Sequence, residues 1–253
     1  MSLLETITQP KDRPVIATIC GDAGMGKTSL AATFPNPIFI RVEDGLQSIP
    51  EDKRPDAFEK PKSMQDIQDQ IITLIREDHD YKTLVIDSIT ALDTMLITEI
   101  VAQDPKKPAT INQALGGYGA GLAALAAKHH GIRKACGMLS DKKSMNIVFI
   151  SHADTETIDL PDTDSYTRYS LRLNKRSVSP YVDESDLVGF LKLETFTREN
   201  DNGKSKAMSD GTRVLVTYAT AANISKNRYG ITEDITVIKG ENPLINYIKV
   251  LQS

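Results

Sequence analysis

The sequence predicts an α/β fold, a mainly parallel sheet flanked by helices. Three observations point to it. Short apolar runs alternate with helix-patterned stretches through the first 150 residues, as βαβ units require. One apolar run, Val15-Ile16-Ala17-Thr18-Ile19-Cys20, leads directly into Gly21-Asp22-Ala23-Gly24-Met25-Gly26-Lys27-Thr28-Ser29. A helical stretch over 27–33 follows at once. Strand, glycine-rich loop and helix start stand in the order of a phosphate-binding loop, G-x-x-x-x-G-K-[ST].

The remaining elements follow in order. Strand two spans residues 37–42. A helix begins at Ser63, where Ser63 and Asp66 form an S-x-x-D cap, and sets Ile67, Ile71, Leu74 and Ile75 on one face. Strand three is Thr83-Leu84-Val85-Ile86-Asp87. A helix over about 90–103 turns Leu92, Met95, Leu96 and Ile100 inward. A glycine-bearing loop, 104–121, precedes an alanine-rich helix reaching towards Met138, and strand four covers 146–151. Beyond residue 151 the pattern changes. Residues 165–174 alternate polar and apolar, as a half-exposed strand does. Residues 187–197 and 212–219 read as two further strands joined by a hairpin loop over 198–211, giving a C-terminal antiparallel β-hairpin extension. Asn242-Pro243 reads as the cap and first residue of a last helix. The expected organisation is an N-terminal arm, 1–13, available for subunit contact, and one domain over 14–253.

Composition narrows the function classes. A chain of 253 residues with 40% hydrophobic content supports one α/β core. Aromatics are sparse and tryptophan is absent, against a β-sandwich built on aromatic anchors. The net charge of −4 excludes a chain that is polybasic throughout, so nucleic-acid contact requires a local basic patch. No apolar run approaches about 18 residues, so no membrane span is expected. The N-terminus lacks the basic and apolar regions of a signal peptide. Cys20 ends a core strand and reads as a buried thiol. These features together predict a cytoplasmic setting.

The loop from Gly21 to Ser29 predicts a nucleotide site. Its glycines let backbone N–H groups converge on an anion. Lys27 reaches the outer phosphates and the Thr28 hydroxyl suits Mg²⁺. Asp87, at the end of strand three, reads either as a second magnesium-holding group or as a cap for the next helix. Glu43, at the end of strand two, is placed to orient and deprotonate a water; Asp44 beside it is the alternative. His152, at the end of strand four, is either a γ-phosphate sensor or a structural histidine. His129 and His130 have no acid or thiol at ligand spacing and read as solvated.

Two segments are candidates for nucleic acid. Residues 166–176 carry Arg168, Arg172, Lys175 and Arg176 with no acid, interleaved with Tyr166 and Tyr169. Such a stretch tracks phosphates and stacks bases, or forms the solvated face of an amphipathic strand, and Glu156, Asp159, Asp162 and Asp164 weaken its field. The second is the loop from Lys106 to Gly119, where glycines surround Tyr118; its residues 116–121 read either as a mobile base-stacking loop or as a tight entry into the following helix.

With these residues assembled, the chain resembles the RecA-like P-loop ATPases. More narrowly it is similar to the phage nucleotide-binding proteins of the fourth Sak class, which are linked to single-strand annealing and recombination. The likeness covers roughly residues 14–240. It is carried by residues 21–28, Glu43, residues 83–87, the segment 112–121 with Gly116-Gly117-Tyr118-Gly119, and residues 149–152. A further carrier, Lys226-Asn227-Arg228-Tyr229-Gly230, is similar to a Lys-Asn-Arg-Phe-Gly motif of RadA. The resemblance implies ATP and Mg²⁺ as ligands and a ring or filament of identical subunits. It implies Glu43 as the water-activating group and Lys226 and Arg228 as cations reaching a neighbour's ATP. It also implies single-stranded DNA as partner, with a single-strand binding protein as a further one, and the host cytoplasm as location if the chain is phage-encoded. The chain shows neither a Cys₄ zinc finger before the core nor RadA's protease-like domain or RecA's C-terminal domain, so strand exchange on duplex DNA is not implied. Three rivals remain: a small-molecule P-loop kinase, a loader or mediator that binds ATP without DNA-stimulated turnover, and a RadA-like motor.

Overall fold

The computed structural model describes residues 3–9, 12–199 and 205–252. In chain order the elements are β1 (Ile16–Gly21), α1 (Lys27–Ala31), β2 (Pro37–Arg41), β3 (Asp56–Ala57), α2 (Met64–Arg76), β4 (Thr83–Asp87), α3 (Ile89–Gln103) and α4 (Ala120–Lys143). Then come β5 (Asn146–Ile158), β6 (Tyr166–Leu171), α5 (Ser179–Val182), β7 (Leu187–Leu193), β8 (Phe196–Glu199), β9 (Ser205–Met208), β10 (Arg213–Val216), β11 (Lys226–Asn227) and β12 (Ile235–Val237).

The main sheet runs β12-β10-β7-β1-β5-β4-β2-β3. From β7 to β3 every pairing is parallel. β10 joins β7 antiparallel, and β12 joins β10 antiparallel. The strand pattern of the sequence is thus present, and the antiparallel extension lies on the β7 side.

Both faces of the parallel strands are covered, and their two-residue period divides the apolar side chains between two cores. Ile16, Ile38, Ile40, Leu84, Ile86, Ile147 and Phe149 pack under α2, α3 and α4. Ala17, Ile19, Phe39, Val85, Val148 and Ile150 pack on the other face with Leu30 and Phe34, and with Leu244, Ile248 and Leu251 near the C-terminus. Ser63 caps α2 as its sequence predicts. Its hydroxyl accepts from the Asp66 N–H, and Asp66 accepts from the Ser63 N–H at 3.1 Å.

Four expectations are corrected. Strand four does not stop at 151. β5 continues to Ile158 because its outer half leaves the main sheet and pairs antiparallel with β6; with one partner and an exposed face, that half loses the apolar run. The segment from Asn242 is not an α-helix. Asn242 does cap it, accepting from the Leu244 N–H at 3.1 Å, but the turn is 3₁₀, Pro243–Asn246, and Ile248, extended at φ −119° and ψ 102°, separates it from a second 3₁₀ turn, Lys249–Leu251. The expected loop over 198–211 begins and ends as strand, since β8 and β9 pair; its tip, residues 200–204, lies outside the described residues.

The fourth concerns His129. It is fully buried, not solvated: one ring nitrogen lies 2.8 Å from the Tyr181 hydroxyl and the other 3.0 Å from Asp93 Oδ1. Its acid comes from α3 and its phenol from α5, so no spacing within α4 announces either. His130 is exposed. Cys20 and Cys136 are both free and buried, and burial pushes both thiols up to about 12.

Among the described residues no helix is long and apolar enough to cross a membrane.

Candidate functional site

The C-terminal ends of β1, β4 and β2 lie side by side with the middle of β5, where it leaves the main sheet. Gly21 is level with His152, Asp87 with Ile150, and Arg41 with Asp87. Ligands of open α/β sheets gather at this edge. A cavity of about 520 Å³ opens there, lined by the 23–30 loop and helix start, Glu43, Gly45, Asp87 and His152.

The loop takes its shape from its glycines. Gly24 and Gly26 hold φ of +77° and +94°, a left-handed conformation that side-chain-bearing residues resist. Lys27 is 6% exposed and donates to the carbonyls of Gly21 at 2.9 Å and Asp22 at 2.8 Å. Burial lowers its pKa. The Thr28 hydroxyl donates to Asp87 Oδ2 at 2.8 Å.

Asp87 is 1% exposed, and its Oδ1 is buried with no hydrogen-bond partner. Burial pushes its carboxyl up to about 6, although the Thr28 hydroxyl acts the other way. It does not cap α3, because the Ser88 hydroxyl accepts the Ala91 N–H instead. Directly above the Thr28–Asp87 pair runs Gly45. A Cβ there would stand 2.7 Å from Asp87 Oδ2 and 2.8 Å from Thr28 Oγ1. A buried orphan carboxylate oxygen, a hydroxyl beside it and a bare backbone overhead fit a magnesium ion arriving with a polyphosphate, which needs only one or two protein oxygens.

Glu43 is tied to the same spot by its backbone. The N–H groups of Val42 and Glu43 both donate to the Asp87 carbonyl, at 2.7 and 3.1 Å. Its side chain is half-buried, with Oε1 3.1 Å from His152 Nε2. The His152 hydrogen bond is the main cause that holds the Glu43 carboxyl below the usual range. Asp44 is exposed and paired with Lys60 at 3.0 Å, so of the two acids only Glu43 meets His152. His152 in turn donates its N–H to Thr90 Oγ1 at 3.0 Å, and its carbonyl accepts the Arg172 N–H at 2.9 Å.

Lys226 and Arg228 lie elsewhere. β11 pairs with the start of β7, Lys226 opposite Val188, and so stands towards the other end of the strands from the phosphate loop. Lys226 donates to the Asp183 carbonyl at 2.8 Å. Arg228 stands 3.5 Å from Asp186, a 4%-exposed carboxylate that also receives Arg13. Neither residue lines the phosphate-loop cavity.

The two nucleic-acid candidates meet each other. Arg176 donates to the Gly119 carbonyl at 3.3 Å, beside the fully exposed Tyr118. Within 166–176, however, Arg168 is paired with Glu156 across β5 and β6 at 2.9 Å, and Tyr169 stacks on Phe190 with centroids 4.7 Å apart. Tyr166 is half-buried, and Arg172, Lys175 and Arg176 are exposed. The alternation of this stretch is therefore partly that of an ordinary paired strand.

Three groups escaped sequence reasoning. Gly45 had a faint signal, a glycine after two acids at a strand end. Thr90 and Arg213 had none; Arg213 joins the cavity from β10, two strands over from β1.

A phosphate loop closing the central strand, with a hydroxyl and a buried carboxylate converging beside it, defines the chain as a P-loop nucleotide-binding protein of the ATPase class. More narrowly, the chain belongs to the AAA domain family, whose model matches residues 13–229. Membership implies nucleotide binding and, as a rule, magnesium with it. None of the curated proteins compared with the chain matches it.

Proposed function

We propose that the chain is an ATP-hydrolysing, RecA-like recombination protein that acts on single-stranded DNA, in annealing or strand pairing. In this reading it works as a ring or filament whose neighbouring subunit completes each ATP site. A phage origin and a single-strand binding protein as additional partner accompany the reading through the resemblance.

In the reaction, Lys27 leaves its two carbonyls and neutralises phosphate charge. Thr28 and Asp87 would hold magnesium, which draws charge from the phosphates and fixes their orientation. Glu43 accepts a proton from the attacking water as its oxygen bonds to the γ-phosphorus, and the bond to the ADP oxygen breaks. Lys226 and Arg228, turned away from their own cavity, serve the next subunit's ATP.

One observation supports the link to DNA above the rest. His152 touches Glu43 with its ring and Arg172 with its carbonyl. A change at the γ-phosphate thus has a short covalent and hydrogen-bonded route to the basic segment and, through Arg176, to the Tyr118 loop.

The test is ATP hydrolysis with and without single-stranded DNA at two salt concentrations. Stimulation that falls as salt rises is expected. Hydrolysis indifferent to DNA would remove the DNA role. A loader or mediator reading then gains, and the pairing of Arg168 with Glu156 and of Tyr169 with Phe190 favours it, since both reduce the surface offered to DNA.

A further inference from the structure

We propose that Arg213 is a same-chain phosphate clamp, closing on the polyphosphate from the antiparallel side of the sheet. The inference rests on the phosphate-loop reading and adds a residue that no motif contains.

Arg213 opens β10, and its backbone is paired on both sides, with Leu193 of β7 and Val237 of β12. Two ladders fix its Cα, so its reach is set by the side chain alone. That side chain returns over the phosphate loop: a Cβ built on Gly26 would stand 3.9 Å from the Arg213 Nε. Because residue 26 is glycine, nothing lies between the guanidinium and the loop's backbone. Arg213 lines the same cavity as Lys27, Thr28, Glu43 and Asp87.

The cation is also uncommitted. Among the described residues the Arg213 side chain makes no hydrogen bond or ion pair. Lys192, on β7 nearby, is held by Asp234 at 3.8 Å, and Arg228 by Asp186. An exposed arginine aimed at an anion site, with no carboxylate to leave, binds phosphate at little cost in lost pairing. Its planar fork suits two phosphate oxygens at once, which a lysine cannot match. A cavity of about 520 Å³ has room for a nucleoside triphosphate between this arginine and the loop.

The geometry assigns opposite roles to the two arginines. Arg213 serves its own subunit's nucleotide, and Arg228 faces away from it.

The experiment measures equilibrium binding of fluorescent ATP, ADP and AMP analogues, with magnesium, to the wild type and to Arg213→Ala, Arg213→Lys and Lys27→Ala. Arg213→Ala should weaken ATP binding about tenfold, ADP binding less, and AMP binding hardly at all. Arg213→Lys should fall between. Arg213→Ala binding ATP like the wild type overturns the proposal, as does an equal loss for all three nucleotides. Should the alanine variant misfold, Arg213→Gln with an unchanged Tm carries the same comparison. Lys27→Ala separates the two readings. If it loses ATP while Arg213→Ala does not, only the clamp falls; if the wild type and Lys27→Ala bind alike, the phosphate-loop reading falls with it.

Discussion

His152 Nε2 stands 3.1 Å from Glu43 Oε1, fastening the middle of β5 to the residues just past β2, across the intervening β4. The two residues are 109 positions apart. The contact joins the acid best placed to activate water to a strand whose continuation, through β6, carries the basic segment.

Glu43→Gln should bind ATP within about twofold of the wild type and lose at least about a hundredfold in turnover. The hydrogen bond from His152 depresses the Glu43 pKa, so the carboxylate persists as pH falls, until its lowered value is reached. His152→Ala removes that support and should shift the acid limb of the pH-rate profile upward. An unmoved limb in His152→Ala would detach the histidine from the base.

Asp87 has the opposite sign. Its carboxyl is raised from 3.8 to about 6 by burial. The protonated form is the one the fold prefers, so this group's contribution is complete below 3.8 and is lost as pH rises through about 6. Asp87→Asn should therefore stabilise the nucleotide-free protein at pH 8, with a ceiling of about 3 kcal/mol, and leave it nearly unchanged near pH 4. Urea melts at the two pH values read this directly. The same variant should lose magnesium-dependent tightening of nucleotide binding.

Gly45→Ala drives a methyl group to within 2.7 Å of Asp87 Oδ2 and 2.8 Å of Thr28 Oγ1. Magnesium-dependent ATP affinity should drop about tenfold or more, with a stability loss of about 1–3 kcal/mol from overpacking. Titration calorimetry with and without magnesium checks it. Equal loss in both conditions would mean that the backbone, rather than the metal position, was disturbed.

Arg228→Ala should keep ATP binding and slow hydrolysis. Mixed with Lys27→Ala, which retains Arg228 but lacks the phosphate-loop lysine, it should regain activity, because mixed assemblies contain interfaces with both groups intact. Failure to regain activity at any mixing ratio, with co-assembly demonstrated, would end the idea of a cation acting across subunits.

For DNA, the pairing pattern ranks the residues. Tyr118 is fully exposed, and its replacement by alanine should weaken single-strand binding by about 1–3 kcal/mol. Arg176→Ala should weaken it too and lessen the salt dependence. Arg168 is already neutralised by Glu156, so Arg168→Ala should change little. Fluorescence anisotropy of a labelled oligonucleotide gives the order; a dominant effect of Arg168 would invert it.

Much of the fold was legible because its signals are short-range. The 63–66 cap, the buried run ending in Asp87 and the glycine loop each depend on residues a few positions apart. Where partners come from distant elements, the reading failed. His129 looked solvated because Asp93 and Tyr181 reach it from α3 and α5. Glu156 was expected to weaken the field around Arg168, but that the two form a direct pair follows only once β5 folds against β6. Asn242 capped its turn as expected, yet the segment is two 3₁₀ turns parted by an extended Ile248, itself buried against the sheet.

By itself the sequence determined the parallel core, the phosphate loop at the end of its first strand, and the strand-end acids Glu43 and Asp87. Hydrophobic period and loop conformation are properties of neighbouring residues, and they need no knowledge of the rest of the chain. Tertiary structure alone decided that His152 rests on Glu43, that Gly45 roofs Thr28 and Asp87, that Arg213 overhangs Gly26, and that Lys226 and Arg228 face away. Those relations follow from the order in which strands pair, and the energy that fixes this order is summed over the whole sheet rather than written in any one segment.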